Sequence, residues 1–219
     1  MTHSVLRSMR RALLRVVPSP APAATPLSGE SILQQRHGTQ DRARRFYDGQ
    51  MLNHLNETMR EFVSRQTMMF LATSDAHGNC DNTFRSGPAG FVHVLGARLL
   101  TWPEYRGNGV MASLGNVVEN PHVGLLFVDF FDDGVGLHVN GRAAIVPDAV
   151  IRAEHAGLAV DPAPGRRPDQ WVLVEVEEAY IHCAKFIPRL QRCAASGPVN
   201  GSPRPKKSDF FIGGDNHKA

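Results

Sequence analysis

Residues 68 to 182 break into short strand-like runs separated by turn residues, and this pattern constrains the fold more than any other feature. Asp75 and Gly78 in DAHG are typical of a hairpin turn, and Gly96 with Ala97 marks another. No regular alternation of strands with helices accompanies the runs, so parallel βαβ units are not indicated. The pattern predicts a mainly β fold, a small closed antiparallel barrel with peripheral helices. The runs are MMFLATSD, CDNTFRSG, FVHVL, RLLTWP, HVGLLFVDF, VGLHVNGRAAIV and WVLVEVEEAYIH.

Three stretches outside these runs have helical character. Apolar residues recur at helical spacing between Leu52 and Gln66, which predicts an amphipathic helix. Residues 110–119 are typical of a short helix that stops at Asn120 and Pro121, because proline disfavours a helical residue before it. Residues 148–157 are Ala-rich and compatible with a helix. Within the run VGLHVNGRAAIV, a glycine at position 141 indicates a bulge or bend.

A chain of 219 residues is long enough for one sizeable domain with tails. The stretch PSPAPAATPLSG is rich in Pro and Ala and is typical of an unstructured linker, and the last residues are rich in Gly, Pro, Ser and Lys. We therefore predict a disordered N-terminal extension over residues 1–35, a folded domain over 36–192 and a disordered C-terminal tail over 193–219.

Charge and cysteine content limit the classes of function. Lys and Arg number 24 against 21 Asp and Glu, a net charge of +3 concentrated near the two ends, which disfavours nucleic acid as a partner. No apolar run reaches the roughly 18 residues that span a bilayer, so no membrane association is expected. The Arg-rich opening is interrupted by Arg15 and Pro18, as in an extension rather than a signal peptide. Cys80, Cys183 and Cys193 form no paired motif, which favours the cytoplasm.

The stretch TWPEYRGNG, residues 101 to 109, joins a predicted strand to a predicted helix and suggests an anion site. Glycines allow a close backbone approach, and an arginine beside a helix N-terminus attracts an anion. Arg85 at the end of the second strand, Arg106 in the loop and the helix start near Ser113 together could hold one phosphate. An arginine in a Gly-rich loop is also common as an ordinary solvated turn residue, and Tyr105 is compatible with the core.

Other polar residues carry weaker signals. His138 and Asn140 share one face of their strand and form either a polar rim or a structural pair. Asp132 and Asp133 are typical loop carboxylates, and no metal site is expected. His182 is compatible with a packed strand histidine as well as with catalysis, and Cys183 is expected to be a small core residue.

Several of these motifs occur together in an order that resembles one known family. RSGP, PEYRGN, SLGN, ENPHVGLLF, HVNGRA and HCAK fall between Asp41 and Arg189. In this combination the chain resembles the pyridoxamine 5'-phosphate oxidase-like family, in particular its branch of FMN-dependent enzymes. The resemblance implies an antiparallel FMN-binding split β-barrel, a homodimeric flavoprotein that holds FMN in the groove between its subunits.

The resemblance also implies roles for individual residues. Twelve positions match, ten for cofactor binding and two for catalysis. By similarity, the FMN phosphate and ribityl chain would contact Arg85, Ser86, Arg106 and Asn108, with Ser113 and Asn116 behind them and Tyr105 in the same loop. Thr101, Trp102 and Pro103 would lie along the isoalloxazine edge. His182, as a proton donor, and Lys185, near the ring, would be catalytic residues.

The chain departs from true pyridoxamine 5'-phosphate oxidases in two places. The Arg-Lys pair after the loop serine is absent, and FIPRLQRC replaces the arginine-rich substrate motif. An oxidoreductase acting on an unknown small organic substrate is therefore expected, rather than an enzyme of vitamin B6 metabolism. Related split barrels bind F420 or haem, so the alternative is a non-catalytic module that binds flavin, F420 or haem.

Overall fold

The computed structural model describes residues 28–107, 109–159, 161 and 166–192. The chain divides into two compact units, and the secondary structure below lies in the first, Met1–Arg189; of the second, Leu190–Ala219, residues 190–192 are described. Most of the predicted N-terminal extension and the predicted tail lie outside the described residues. The domain boundaries therefore remain a prediction.

The described part contains seven strands and five α-helices. The helices are α1 Gly29–His37, α2 Gln40–Gln50, α3 Glu57–Ser64, α4 Ala112–Glu119 and α5 Asp148–Glu154. The strands are β1 Met68–Ser74, β2 Cys80–Ser86, β3 His93–Gly96, β4 Leu99–Glu104, β5 His122–Val128, β6 Gly136–Pro147 and β7 Gln170–His182, and a 3₁₀ turn follows at Ala184–Phe186. The prediction of a mainly β fold with peripheral helices is confirmed.

The strands form one antiparallel sheet in the order β2-β1-β5-β6-β7-β4-β3. Within the described residues, β2 and β3 each pair with one neighbour and are the edges of the sheet. The predicted antiparallel split β-barrel is confirmed, and it is open rather than closed along one side, because no hydrogen-bonded ladder joins the two edge strands in the described part of the chain. The sheet is open, and the gap between its ends is called the seam below.

Local register follows the predicted turns. The β1–β2 hairpin turns at Asp75–Gly78, where Asp75 accepts hydrogen bonds from the backbone N–H groups of His77 and Asn79. Gly141 marks the predicted bulge, since the β6–β7 register shifts between Asn140 and Gly141. A Cβ at this position would stand 2.1 Å from the carbonyl oxygen of Glu175, so the bulge requires glycine.

The main core lies on the inner face of the sheet. It contains Phe127, Val139, Val174 and Val176, all with no exposed surface, and the indole of Trp102 in β4. A smaller cluster forms around Trp171, with Ile151 of α5. This inner face places β2 and the end of β4 beside α4, where the candidate site lies.

Three helices precede the sheet in the described part of the chain, and α3 is shorter than its sequence prediction. The predicted boundary at residue 36 falls inside α1, where Ser28 accepts from the N–H of Ser31 and Gly38 ends the helix in the left-handed conformation. The helix predicted from Leu52 to Gln66 begins only at Glu57, because Asn56 caps it by accepting from the N–H of Met59. Leu52 instead forms a bridge with Ala179 of β7.

Both helices inside the sheet region are shorter than predicted. Helix α4 begins at Ala112 rather than residue 110, because Met111 takes the N-cap position with a left-handed φ of 55°. Helix α5 ends at Glu154 rather than residue 157. Among the helices in the described ranges, none has the length and apolar character needed to cross a bilayer.

Candidate functional site

A cleft of about 800 Å³ opens at the seam, beside the N-terminal end of α4. One wall is β2, another is the segment that follows β4, and the third is the first turn of α4. The polar and charged side chains in its described lining are Asp81, Thr83, Arg85, Ser86, Glu104, Tyr105, Arg106, Ser113 and Arg166. The volume is within the range of small-molecule and cofactor sites.

Arg85 is held on two sides. Its Nε lies 2.8 Å from Oε1 of Glu104, and its Nη1 lies 2.9 Å from the Thr83 hydroxyl. The same Oε1 accepts a hydrogen bond of 2.7 Å from the indole Nε1 of Trp102. Glu104 is only 6% exposed, so the buried carboxylate is satisfied by one charged and one neutral donor.

Two further arginines line the cleft in different states. Arg106 is exposed, and its guanidinium makes no hydrogen bond or ion pair with any of the described residues. Arg166 donates to the backbone oxygen of Ser86 at 3.1 Å and pairs with Asp161 at 3.2 Å. It also lies 5.5 Å from the ring centre of Tyr105, a cation–π contact. Arg106 is therefore a cation available to a ligand, whereas Arg166 attaches its loop to the cleft wall.

Burial raises the pKa of Tyr105, against smaller effects from the backbone of Asp161 and the charge of Arg166. Its phenol therefore stays neutral at physiological pH. Tyr105 contributes a ring face and a hydroxyl group to the cleft, rather than a charge.

The start of α4 supplies the third wall. No side chain caps this helix, and Met111, in the left-handed region at the N-cap, carries backbone strain of about 1–3 kcal/mol. Ser113, 5% exposed, donates to Oδ2 of Asp81 at 2.8 Å and so connects α4 to β2. The positive end of the helix dipole and its first N–H groups are thus placed beside Arg85.

The mouth of the cleft has an apolar surface next to these cations. Val110 is 71% exposed and Met111 is 47% exposed, and both line the cleft. Phe84 of β2, 50% exposed, borders the cleft too, but its ring lies on the opposite face of the strand from Arg85, against Phe70. A site that combines cations with exposed apolar surface suits a ligand with an anionic group and an aromatic ring.

The structure brings together five of the predicted site residues, namely Arg85, Ser86, Tyr105, Arg106 and Ser113. Asn108 lies outside the described residues. The side chains of Thr101 and Trp102 are fully buried and bond to the Val172 carbonyl and to Glu104, and Pro103 is also buried. Asn116 donates to the Thr73 hydroxyl at 3.0 Å and is not part of the described lining.

His182 and Lys185 do not belong to the described lining of this cleft. His182 ends β7, and its Nδ1 lies 2.9 Å from Nε2 of His138, which stacks on Tyr180 with ring centres 4.8 Å apart. Burial, followed by the neighbouring His182, lowers the pKa of His138. Lys185 is exposed beside Phe186, and Cys183 is exposed, so the expectation of a core cysteine is wrong: it follows the last residue of β7.

Sequence reasoning missed the acidic residues and one arginine of the cleft. Glu104 stands within the quoted TWPEYRGNG stretch, as an acid at the end of an apolar strand, and this was an available signal for a buried ion pair. Asp81 and Thr83 share the face of β2 that carries Arg85, as strand alternation requires. Arg166 gave no usable signal, since a loop arginine far along the sequence reveals its partner only in the folded chain.

Fold and site together define a class: an open antiparallel sheet with a cationic cleft at its seam. Residues 55–183, more than half of the chain, match the family model described as Pyridoxamine 5'-phosphate oxidase, and this protein belongs to that family. No curated protein matches the chain.

Solved structures with a similar fold are remote. HupZ of Group A Streptococcus is 15% identical, with 63% of this chain and 98% of that chain covered and a TM-score of 0.42. An FMN-binding protein from Syntrophomonas wolfei subsp. wolfei is 12% identical, with 70% and 96% covered and a TM-score of 0.42. An F420 reductase is 17% identical, with 56% and 94% covered and a TM-score of 0.36. No cofactor or activity follows from likenesses this weak.

Proposed function

We propose that the protein binds FMN in the seam cleft and acts as an oxidoreductase on a small organic molecule. The observation that carries the proposal is the pair of Arg85 and Arg106 beside the start of α4, inside the segment that matches the family. Two guanidinium groups and a helix N-terminus are the usual partners of a phosphate dianion.

The residues present fit this cofactor. Arg85 and Arg106 would hold the phosphate, and the apolar surface of Val110 and Met111 would accept part of the isoalloxazine ring. Strand β3 reaches only Thr101 of β4, so on that side the backbone beyond Thr101 has no strand partner among the described residues. When bound, FMN supplies hydride-transfer chemistry, while the protein positions it and controls access.

A second candidate function is a flavin-binding module without turnover. It is favoured by one observation: His182 and Lys185, the predicted catalytic residues, do not line the cleft of a single chain. An oxidoreductase therefore requires either other groups at the ring or residues from a second chain.

We also propose a homodimer with the flavin at the subunit interface. Met111, exposed at the cleft mouth, and Phe84, exposed on the other face of the edge strand β2, support it, because apolar surface around a polar site is typical of a surface that a partner covers. Light scattering of the flavin-loaded protein tests the assembly, and a flavin-loaded monomer would contradict it. A cytoplasmic location is proposed as well, supported by the free, exposed thiols of Cys80 and Cys183.

The deciding experiment combines a visible spectrum of the purified protein with mass spectrometry of whatever denaturation releases. Flavin bands and the mass of FMN support the proposal. A Soret band or the mass of F420 would contradict FMN, and so would a colourless protein that does not take up added FMN. For FMN-loaded protein, oxidation of NADH or NADPH above the rate of free FMN supports the oxidoreductase. No turnover with any reductant and oxidant pair would support the module.

A further inference from the structure

We infer that Glu104 is a positioning residue for the anion site: its buried carboxylate holds the Arg85 guanidinium in place across the seam. The inference rests on the proposed function, because the anion concerned is the FMN phosphate. Glu104 is not among the residues predicted to bind the cofactor or to be catalytic. Its carboxylate is negatively charged, as is the phosphate that it would help to bind.

The first support is the position of the pair in the sheet. Arg85 is on β2, at one edge, and Glu104 ends β4, next to the opposite edge. No strand pairing joins these ends within the described residues, and the pair at 2.8 Å connects them instead. The location of Arg85 relative to the loop that follows β4 therefore depends on this contact.

The second support is the way in which the carboxylate itself is fixed. Trp102 has no exposed surface, and its indole N–H donates to the same Oε1 that receives Arg85. A fully buried ring does not change its rotamer without disturbing the core. Glu104 therefore joins Trp102, a rigid core residue, to the guanidinium of Arg85 at the cleft wall. The side chain of Arg85 is 22% exposed.

The third support is what remains free on Arg85. Its Nε is used by Glu104 and its Nη1 by Thr83, whereas Nη2 makes no hydrogen bond with any described residue. A guanidinium carries five donor hydrogens in a fixed plane. Because two of its nitrogens are fixed, the third is already oriented. Phosphate binding therefore costs less side-chain entropy of Arg85 than it would cost for a mobile arginine.

The alternative role of Glu104 is electrostatic, and it predicts the opposite sign. A carboxylate that merely neutralises Arg85 opposes an anion, so its removal would strengthen FMN binding. Asp81 provides a matched control, since its carboxylate lines the same cleft but bonds to Ser113 and not to Arg85. Charge alone therefore predicts tighter binding for both Glu104→Gln and Asp81→Asn.

The experiment is a double-mutant cycle on FMN affinity, measured by quenching of flavin fluorescence. We expect Glu104→Gln to weaken binding roughly tenfold or more, because the charge-assisted bond that holds Arg85 becomes a weaker neutral one. Asp81→Asn removes a carboxylate from the same cleft and keeps an oxygen that can accept from Ser113, so it should tighten binding, the opposite sign to Glu104→Gln. In an Arg85→Ala background, Glu104→Gln should no longer weaken binding. Unchanged or tighter binding in Glu104→Gln would overturn the inference, and so would an equal loss in both backgrounds.

A measurement without cofactor separates this inference from the proposed function. In ¹⁵N NMR of the FMN-free protein, the Arg85 Nε–H should exchange slowly with water, and the signal should broaden in Glu104→Gln. The signal is assigned to Arg85 by its absence from the spectrum of Arg85→Ala. If the wild type binds no FMN, the proposed function fails, whereas a freely exchanging Nε–H overturns the positioning role itself. Should Glu104→Gln not fold, Thr83→Val replaces it in the cycle, because it removes the other side-chain bond to Arg85, keeps only the longer contact of Nη1 with the Phe84 carbonyl oxygen, and leaves Trp102 untouched.

Discussion

The Nε of Arg85 lies 2.8 Å from Oε1 of Glu104, although their strands hold the first and sixth places in a ladder of seven. In a flat sheet, five strand spacings would separate the two strands by about 24 Å. The sheet must therefore curl until its ends meet. Side chains across the seam, rather than backbone hydrogen bonds, make the final contact, and the cleft is the space left beside that contact.

Replacing Arg106 with Ala should weaken FMN binding roughly 10- to 150-fold, the loss of one charge-assisted contact of about 1.5–3 kcal/mol. The free energy of unfolding should stay within about 0.5 kcal/mol, because the side chain is exposed and its guanidinium makes no hydrogen bond or ion pair with the described residues. Fluorescence titration and urea unfolding measure the two quantities. Arg60→Ala, another exposed arginine, is the control and should leave affinity unchanged. Equal affinity in Arg106→Ala would remove Arg106 from the site.

Replacing Ser113 with Ala should lower the free energy of unfolding by about 1–3 kcal/mol, because Asp81 loses a hydrogen bond from a largely buried hydroxyl. Urea denaturation provides the measurement. Ser86→Ala serves as its control, since Ser86 is exposed and its hydroxyl makes no described contact. If both variants were as stable as the wild type, the contact between α4 and β2 would contribute nothing.

The stability of the protein should decrease as the pH falls below about 6.5, the ordinary pKa of histidine. Burial and then His182 lower the pKa of folded His138, so the unfolded chain takes up the proton first and gains relative to the folded state. This contribution to stability is complete at pH values above the pKa of His138 in the unfolded chain. It is lost as the pH falls towards the lower pKa of His138 in the folded protein. Thermal unfolding at several pH values should show a smaller slope in His138→Gln than in the wild type.

His93 is the matched comparison for this pH effect. Burial lowers its pKa in the same direction, and its ring lies 2.9 Å from the Ala159 carbonyl oxygen. Each single variant should therefore retain part of the pH dependence, and the double variant should retain least. If stability changed with pH equally in the wild type and in His138→Gln, His138 would not contribute to the pH dependence.

Two glycines should respond in opposite directions to alanine. Gly141→Ala would place a Cβ 2.1 Å from the Glu175 carbonyl oxygen and should destabilise the fold by about 1–3 kcal/mol or more. Gly115→Ala, in the middle of α4 with nothing within 4 Å of its added Cβ, should stabilise the protein by up to about 1 kcal/mol. Urea denaturation of both variants checks the pair. A neutral Gly141→Ala would mean that the bulge rearranges freely.

Local patterns in the sequence predicted much of the fold. Asp75 and Gly78 specified a hairpin, because Gly78 adopts a positive φ that few residues adopt. Gly141 specified a bulge, because only glycine avoids a clash with the Glu175 carbonyl oxygen there. Asn56, a typical N-cap, gave a signal that the apolar periodicity from Leu52 obscured. The open seam could not be read from strand patterns, because edge and central strands have the same alternation when one face is buried.

The site was predictable only in part, for a related reason. Arg85, Arg106 and Ser113 were recognisable because positive charge and a helix start mark an anion site wherever they occur. Arg166 was not, because its contact with Ser86 joins residues 80 positions apart that no turn or strand pairing relates. The roles of His182 and Lys185 came from resemblance alone, and the described cleft of one chain includes neither.

The hydrogen bond from Trp102 to Glu104 also gives the protein an internal optical reporter. The indole bonds directly to the Glu104 carboxylate, which in turn bonds to the Arg85 guanidinium. The emission of Trp102 should therefore change when an anion binds that guanidinium. Trp171, the other tryptophan, belongs to the smaller core cluster and donates to Asp148, away from the cleft lining. Inorganic phosphate, which absorbs no visible light, can therefore be followed by the fluorescence of one ring with the other as reference.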